Sequence, residues 1–280
     1  MGQRELPPPA HDHPRGDRGL ILPSAIADLE RAAAQHWQGA DRAALGEWLL
    51  RAAGGFTGRA NSALPLGNPG MPLAAAVDGV AAWYRARHLP AMVAVPRPLR
   101  STGQAAAGPP PAALDDLLAA RGWAIRSGPA IVMTAAIAEL SRPEAGVTVT
   151  MRPTPGPDWL AVYRYRGQPL PGDALKLLLS APWQAFGTVR RDGQPAAVGR
   201  VSVAAGWAGI TAVEVAADHR RGGLGTAMTL ALARAAAGCG VDRVFLQVEE
   251  GNSAARALYE RCGFRDAHAY HYRVAPDSGR

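Results

Sequence analysis

The sequence His219-Arg220-Arg221-Gly222-Gly223-Leu224-Gly225-Thr226 is a glycine-rich turn between a predicted strand and a predicted helix. Before it, residues 209–215 place β-branched residues at every second position, which is typical of a strand. After it, residues 226–237 are rich in Ala, Leu and Met and end at a Gly-Cys-Gly sequence, which is typical of a helix with a glycine stop. We therefore predict a strand-turn-helix unit.

This turn has the properties of a phosphate site. The first amides of a helix have no intrahelical partner and lie at the positive end of the helix dipole, so anions bind there. The three glycines allow close approach of the backbone to a ligand, and Arg220 and Arg221 add positive charge. The turn is not a P-loop, because no Gly-Lys-Ser/Thr follows, and Met228 replaces the third small residue of a dinucleotide fingerprint. The alternative is an ordinary glycine turn with two solvated arginines.

The residues that follow the helix contain a second set of signals. Residues 241–249 predict a strand, residues 253–262 predict a short helix that ends at Gly263, and a last strand begins at Phe264. Asn252 and Tyr259 are seven residues apart, about two helical turns, so both can face one cleft. The alternative for Tyr259 is a core aromatic residue at helical spacing.

Together, two motifs resemble the GCN5-related N-acetyltransferase (GNAT) superfamily. The coenzyme loop of that superfamily, Arg/Gln-x-x-Gly-x-Gly/Ala, appears as Arg220-x-x-Gly223-x-Gly225, and its second signature runs from Asn252 through Leu258-Tyr259 to Gly263-Phe264. The resemblance covers residues 146–275 and implies an α/β (α+β) fold with a central mixed, mostly antiparallel sheet flanked by helices. The earlier part of this range predicts strands at 147–152, 183–190 and 195–203, with helices at 157–165 and 172–179.

The first half of the chain predicts a separate unit. Residues 1–19 have too little apolar content to pack and predict a disordered tail, and residues 276–280 form a second tail. Residues 20–140 predict a degenerate GNAT-like domain without a cofactor loop, because Pro65, Pro69 and Pro72 remove backbone donors where the loop would stand. Its predicted elements are helices at 26–37, 73–88 and 114–120 and strands at 46–51, 58–64, 92–95 and 130–134. The layout resembles an actinobacterial two-domain family similar to N-acetylglutamate synthase.

Composition mainly excludes classes of partner. The net charge is +7 and the pI is about 10.1, but the arginines are dispersed, which disfavours a nucleic-acid partner. There is no apolar run typical of a signal peptide or a membrane span, so we expect a cytoplasmic protein. The two cysteines, Cys239 and Cys262, and the seven histidines lack metal-ligand spacing, so no metal is expected. The sequence leaves open whether the chain is a monomer or a homodimer.

The resemblance implies that acetyl-CoA is the cosubstrate and assigns roles on the donor side. Tyr259 would be the general acid that protonates the departing sulfur. In relatives that acetylate ribosomal proteins a glutamate acts as base where this chain has Gln247, so Glu214 or Glu249 is the candidate base, and the alternative is that neither is needed. The implied coenzyme contacts are Val213, Glu214, Val215, Arg220, Arg221, Gly222, Gly223, Leu224, Gly225, Thr226, Asn252 and Tyr259.

The acceptor is less determined. The two-domain resemblance and the basic charge favour a small-molecule amine, with glutamate as the leading candidate and arginine biosynthesis as the implied context. Arg200 and Arg59 are the candidate acceptor-binding residues. The alternatives are acetylation of a peptide or protein amino terminus, of the ribosomal-protein alanine type, and a non-catalytic module that binds acetyl-CoA.

Overall fold

The computed structural model describes residues 24–99, 111–126, 128–141, 146–164, 168, 170–172 and 174–276. The predicted tail at 1–19 and residues 277–280 of the predicted tail at 276–280 therefore lie outside the described residues. The helices are α1 (Ser24–Ala34), α2 (Leu73–Arg85), α3 (Pro111–Ala120), α4 (Pro157–Val162), α5 (Ala174–Leu178), α6 (Leu224–Ala237) and α7 (Ser253–Cys262). The strands are β1 (Asp41–Leu45), β2 (Trp48–Ala52), β3 (Leu64–Pro65), β4 (Met92–Arg97), β5 (Ala124–Ile125), β6 (Ala130–Ala136), β7 (Thr150–Arg152), β8 (Trp183–Arg191), β9 (Gln194–Ala204), β10 (Trp207–Val215), β11 (Arg243–Glu249) and β12 (Arg265–Val274).

A nine-stranded sheet forms the centre of the molecule. Its order is β4-β12-β6-β11-β10-β9-β8-β7, with β5 paired to β12, and β1-β2-β3 form a separate small sheet. Among the described strands of the large sheet, only β10 and β11 pair in parallel, and the other pairs are antiparallel. The predicted mixed, mostly antiparallel sheet with flanking helices is confirmed.

The two predicted domain ranges contribute strands to this one sheet. β6 belongs to the range 20–140, yet it lies between β11 and β12 of the range 146–275 and pairs antiparallel with both. β12 in turn pairs with β4 of the first range. The two ranges therefore do not form two separate sheets. That residues 20–140 are a degenerate copy of the fold of residues 146–275 stays a prediction.

The sequence of β6 explains why it lies in the middle of the sheet. Ile131, Val132 and Met133 are all buried, as expected for a strand that is covered on both faces. Because successive side chains point to opposite faces, Val132 packs with Leu29 and Ala33 of α1, whereas Ile131 and Met133 join the core beneath α6. The helix α1 thus covers the sheet where the two ranges meet.

The predicted strand at 58–64 is wrong. Gly58–Ala60 forms a 3-10 turn, and only Leu64–Pro65 pairs as a strand. The cause is Asn61, whose side-chain oxygen accepts hydrogen bonds from Ala53 N at 2.7 Å and Gly55 N at 3.0 Å. Side-chain hydrogen bonds of this kind compete with strand pairing. The strand β1, rich in Ala and charged residues, was not predicted at all.

No helix in the described ranges is long and apolar enough to cross a membrane. The same ranges contain no group of three or more His, Cys, Asp or Glu residues that could hold a metal ion.

The histidine that follows α1 predicts a pH dependence of stability. His36 is fully buried, with Nδ1 2.8 Å from Ser202 Oγ, and burial together with the nearby Arg200 charge lowers its pKa from 6.5 to about 3. Below pH 6.5 His36 binds a proton in the unfolded chain but stays neutral in the folded chain. The free energy of unfolding therefore falls as the pH drops from 6.5 towards 3, by up to about 1.4 kcal/mol per pH unit. Urea unfolding between pH 7 and 5 measures this slope.

The matched variants for that measurement are His36→Gln and His88→Gln. The first should remove this part of the slope, whereas the second replaces an exposed histidine and should leave it intact. A slope that is the same in all three proteins would contradict the assignment to His36.

Candidate active site

The glycine-rich turn lies at the start of α6, as predicted. Gly223 is the N-cap with φ 75° and ψ −4°, a left-handed conformation that glycine adopts without strain, and it has no side-chain cap. The first hydrogen bond of the helix runs from Ala227 N to Gly223 O at 3.0 Å. Arg221 also has a positive φ, 63°, which is uncommon for a residue with a Cβ and typical of functional loops. The amide groups ahead of Ala227 have no acceptor within the helix, and they could form a cradle for an anion.

Close packing behind this cradle explains its last glycine. A Cβ on Gly225 would lie 2.8 Å from Leu258 Cδ1, so a larger residue here would require the Leu258 side chain of α7 to shift. Arg220 is exposed and its Nε donates to Val215 O at 3.2 Å, which ties the loop back to the end of β10. Leu224 is buried and Thr226 is half-buried, so the exposed part of the loop is Arg220–Gly223.

A bulge in β10 opens the sheet beside this loop. Ala212 has φ 55°, and the register with β9 shifts between Thr211 and Glu214. β10 and β11 pair only from Ala208↔Val244 to Ile210↔Leu246, although both strands continue further. The last residues of β10 and β11 therefore diverge, and the backbone of 213–215 on the β11 side is not used by the parallel ladder.

Tyr259 lies beside this opening on α7. It is half-buried, its ring centroid is 6.0 Å from that of Phe264, and it packs with Val213 and Val215 against the same core. Desolvation raises the pKa of Tyr259 to about 12, so its hydroxyl is protonated at neutral pH. A protonated hydroxyl can donate a proton to a leaving group. Asn252 caps α7 by accepting a hydrogen bond from Ala255 N at 3.1 Å, and its predicted contact with the coenzyme stays a prediction.

The two candidate bases occupy different places. Glu214 is half-buried beside the opening, and its Oε2 accepts a hydrogen bond from Arg164 N at 2.8 Å. Glu249 is exposed at the end of β11 and lines a pocket of about 170 Å³. Gln247, two residues earlier on the same strand, lines that pocket as well. Glu214 therefore lies on β10 at the opening, whereas Glu249 lies in a pocket lined by β11, β12 and the first half of the chain, and the choice between them as base stays a prediction.

The two predicted acceptor residues have different environments. Arg59 lines the pocket, and its Nε donates to Gln247 Oε1. Arg200 has no exposed surface; its Nε donates to Leu178 O at 2.8 Å, its guanidinium lies 5.0 Å from the Trp37 ring centroid, and burial lowers its pKa to about 9. A side chain without exposed surface cannot contact an acceptor, so we do not retain Arg200 in that role.

Several pocket residues were missed by sequence analysis. Tyr270 and Tyr272 of β12 form one wall, and Arg126 and Thr57 approach from the first half of the chain. The alternation of Tyr270 and Tyr272 on the last strand was the available signal for the two tyrosines. The sequence contained no comparable signal for Arg126 and Thr57, because their proximity to β11 depends on the position of β6 between β11 and β12.

Comparison with known proteins identifies the fold and the family. A family model described as "Probable histone acetyltransferase Rv0428c C-terminal" matches residues 23–273. The chain is 28% identical over 261 residues to the uncharacterized N-acetyltransferase YobR of Bacillus subtilis, covering 89% of this chain and 98% of YobR. It is 30% identical over 265 residues to the probable histone acetyltransferase Rv0428c of Mycobacterium tuberculosis, covering 92% of this chain and 77% of that protein.

A solved structure has the same architecture. The GCN5-related N-acetyltransferase from Kribbella flavida superposes with a TM-score of 0.64 at 19% identity, covering 90% of this chain and 96% of that one. The GNAT fold implies acetyl-CoA as cosubstrate, and the anion cradle at α6 and the diverging ends of β10 and β11 fit such a molecule. The two motifs, the sheet and the family match all agree. The chain belongs to the Rv0428c C-terminal family of GNAT-type N-acetyltransferases.

Proposed function

We propose that this N-acetyltransferase acetylates the amine of a small molecule, with glutamate as the leading acceptor. The observation that carries the proposal is the pocket of about 170 Å³ at the carboxyl end of β11, which Arg59 lines. It is smaller than the roughly 300–1,000 Å³ clefts that hold drug-sized ligands, which favours an acceptor of amino-acid size. The net charge of +7 also favours an acidic acceptor.

On the donor side, residues of this chain would position acetyl-CoA and polarise its thioester carbonyl. Acetyl-CoA supplies the acetyl group as a thioester. The amides at the start of α6, with Arg220 and Arg221, would bind its phosphate groups. The backbone of Val213–Val215 would pair with the pantetheine arm at the unpaired side of β10 and stabilise negative charge that develops on the carbonyl oxygen.

Proton transfers complete the reaction. Tyr259 would donate its hydroxyl proton to the sulfur, because its raised pKa keeps the hydroxyl protonated at neutral pH. The acceptor ammonium must lose a proton before it attacks. Glu249 lines the acceptor pocket, so we assign it as the base in preference to Glu214, which accepts a hydrogen bond from Arg164 N.

A second candidate function is acetylation of a protein amine. The name of the relative Rv0428c, a probable histone acetyltransferase, favours it. Two observations count against it here. Histone-type substrates are basic, whereas Arg59 and Arg126 both line the acceptor pocket. For a peptide amino terminus, Gln247 cannot ionise at the position of the base in the ribosomal-protein type.

An acceptor panel tests these alternatives. Purified full-length protein is mixed with acetyl-CoA and one of three acceptor types: free amino acids, a peptide with an amino-terminal alanine, or a lysine-rich histone-type peptide. Release of free thiol is followed. We expect the highest kcat/KM with glutamate. Faster turnover of either peptide would overturn the small-molecule assignment, and no turnover despite tight acetyl-CoA binding would favour a non-catalytic module.

A further inference from the structure

We propose that Arg200 is a positioning residue for acetyl transfer, and that its buried charge stabilises the negative charge that develops at the opening between β10 and β11. The inference rests on the proposed place of the thioester in this opening, whatever the acceptor is. Arg200 has no exposed surface and therefore does not contact a substrate. A charge acts across a low-dielectric interior without contact, so burial is compatible with this role.

Arg200 donates hydrogen bonds only to uncharged groups among the described residues. Its Nε donates to Leu178 O at 2.8 Å, and its two terminal nitrogens lie 3.4 Å from Thr211 Oγ1 and from His36 O. Its guanidinium lies 5.0 Å from the centroid of the Trp37 ring. None of these partners neutralises the guanidinium, since two are backbone carbonyls, one is a hydroxyl and one is an aromatic ring.

No carboxylate in the described part of the chain compensates this charge. Burial lowers the pKa of Arg200 to about 9, and the opposing effect comes from Tyr163 and from no Asp or Glu. The side chain nevertheless stays charged at neutral pH. Burying an unpaired charge costs free energy that an apolar side chain of similar volume would avoid. Proteins keep such costly groups mainly at functional sites, which points to a role beyond packing.

Arg200 lies where the sheet begins to open. It is the direct partner of Thr211 in the antiparallel ladder of β9 and β10, so the two side chains share one face of the sheet. Thr211 is the first residue of β10 beyond the last parallel pair, Ile210↔Leu246. The next residue, Ala212, has φ 55° and begins the bulge. The positive charge is therefore held beside the point from which β10 and β11 diverge.

Acetyl transfer at this opening would generate two negative charges in turn. When the acceptor nitrogen attacks the carbonyl carbon, an electron pair of the C=O bond moves to the oxygen. When the C–S bond then breaks, its electron pair moves to the sulfur, which takes a proton from Tyr259 under the proposed function. A fixed cation nearby lowers the energy of both charges, and it needs no reorganisation during the reaction.

The test removes the charge and measures the acidity of the coenzyme A thiol bound to the full-length protein. Arg200→Met replaces the guanidinium with an uncharged side chain that adapts to irregular core space. Arg200→Lys keeps the charge. The control is Arg273→Met, since Arg273 is a half-buried arginine of β12 that Asp115 neutralises at 2.7 Å.

The thiolate absorbance of bound coenzyme A is titrated between pH 7 and 9, and desulfo-coenzyme A, which lacks the thiol, gives the baseline. Thiol release with the fastest acceptor of the panel gives kcat, and circular dichroism shows whether each variant is folded. The titration requires no turnover, so it tests the charge of Arg200 separately from the identity of the acceptor.

We expect Arg200→Met to raise the pKa of the bound thiol by at least about 1 and to lower kcat at least about tenfold. Arg200→Lys should retain most of both properties, and Arg273→Met should change neither. An unaltered thiol pKa or an unaltered kcat in Arg200→Met would overturn the inference.

The unmodified protein decides the question if Arg200→Met does not fold. Its bound thiol should then have a lower pKa than free coenzyme A, and a pKa that is equal or higher would overturn the inference. The expected thiol pKa values without thiol release to any amine would overturn the proposed function alone.

Discussion

Tyr259→Phe lowers kcat by about 10²–10⁴-fold, and the affinity for acetyl-CoA stays nearly unchanged. The hydroxyl is the only group that the substitution removes, and the ring contact with Phe264, at 6.0 Å between centroids, is retained. A proton donor that acts on the leaving sulfur contributes to the transition state and little to the bound ground state. Steady-state thiol release and equilibrium binding of acetyl-CoA measure the two quantities separately.

The pH dependence of the reaction gives a second readout of the same residue. Burial raises the pKa of Tyr259 to about 12 from an ordinary value of 10, so the acid form persists through pH 10. We therefore expect no alkaline loss of kcat from this group between pH 7 and 10. A tyrosine with its ordinary pKa would already be half-deprotonated at pH 10.

Tyr84→Phe is a matched control for Tyr259→Phe. Tyr84 is fully buried, and its hydroxyl donates to Arg51 O at 2.8 Å and accepts from Arg51 N at 3.4 Å. Tyr84→Phe should lower the free energy of unfolding by about 1–3 kcal/mol, with no effect on kcat, since it removes the two hydrogen bonds with the Arg51 backbone, in a core cluster different from that of Tyr259. If Tyr259→Phe behaves like Tyr84→Phe, Tyr259 is a packing residue and the general acid must be sought elsewhere.

The second large effect is on coenzyme binding. Gly223→Asp should weaken acetyl-CoA binding by about a hundredfold, which corresponds to about 2.7 kcal/mol. Gly223 is exposed at the N-cap of α6 with φ 75°, at the end of the loop that would cradle phosphate groups. A carboxylate there repels the phosphates and competes for the same amides. Equilibrium binding of acetyl-CoA measures the effect.

The control for this substitution lies at the other end of the same helix. Gly240 is exposed with φ 79°, and a Cβ there would meet nothing within 4 Å. Gly240→Asp introduces the same charge at a similarly positive φ, so both variants carry a similar φ strain. Unaltered acetyl-CoA affinity in Gly223→Asp, or an equal loss in Gly240→Asp, would contradict the placement of the phosphate groups at this loop.

Sequence analysis predicted the second half of the chain well. The helix at 253–262 is confirmed to the residue, and the hairpin at Asp192-Gly193 joins the two predicted strands β8 and β9. These features are encoded locally, by hydrophobic periodicity, by glycine stops and by turn residues. The strand predicted at 58–64 failed because one asparagine side chain replaced the ladder hydrogen bonds, which periodicity does not detect.

The donor half of the site was available from the sequence, because the strand, the turn and the helix that form it are contiguous in the chain. The acceptor half was not. The contact between Arg59 and Gln247 joins residues 188 positions apart, and it exists because β6 lies between β11 and β12 and α1 covers the junction. The burial of Arg200 has the same origin, since its neighbours Trp37 and Leu178 come from distant segments. Local patterns specify backbone conformation and caps, whereas strand order and the burial of a charge depend on which distant segments pack together.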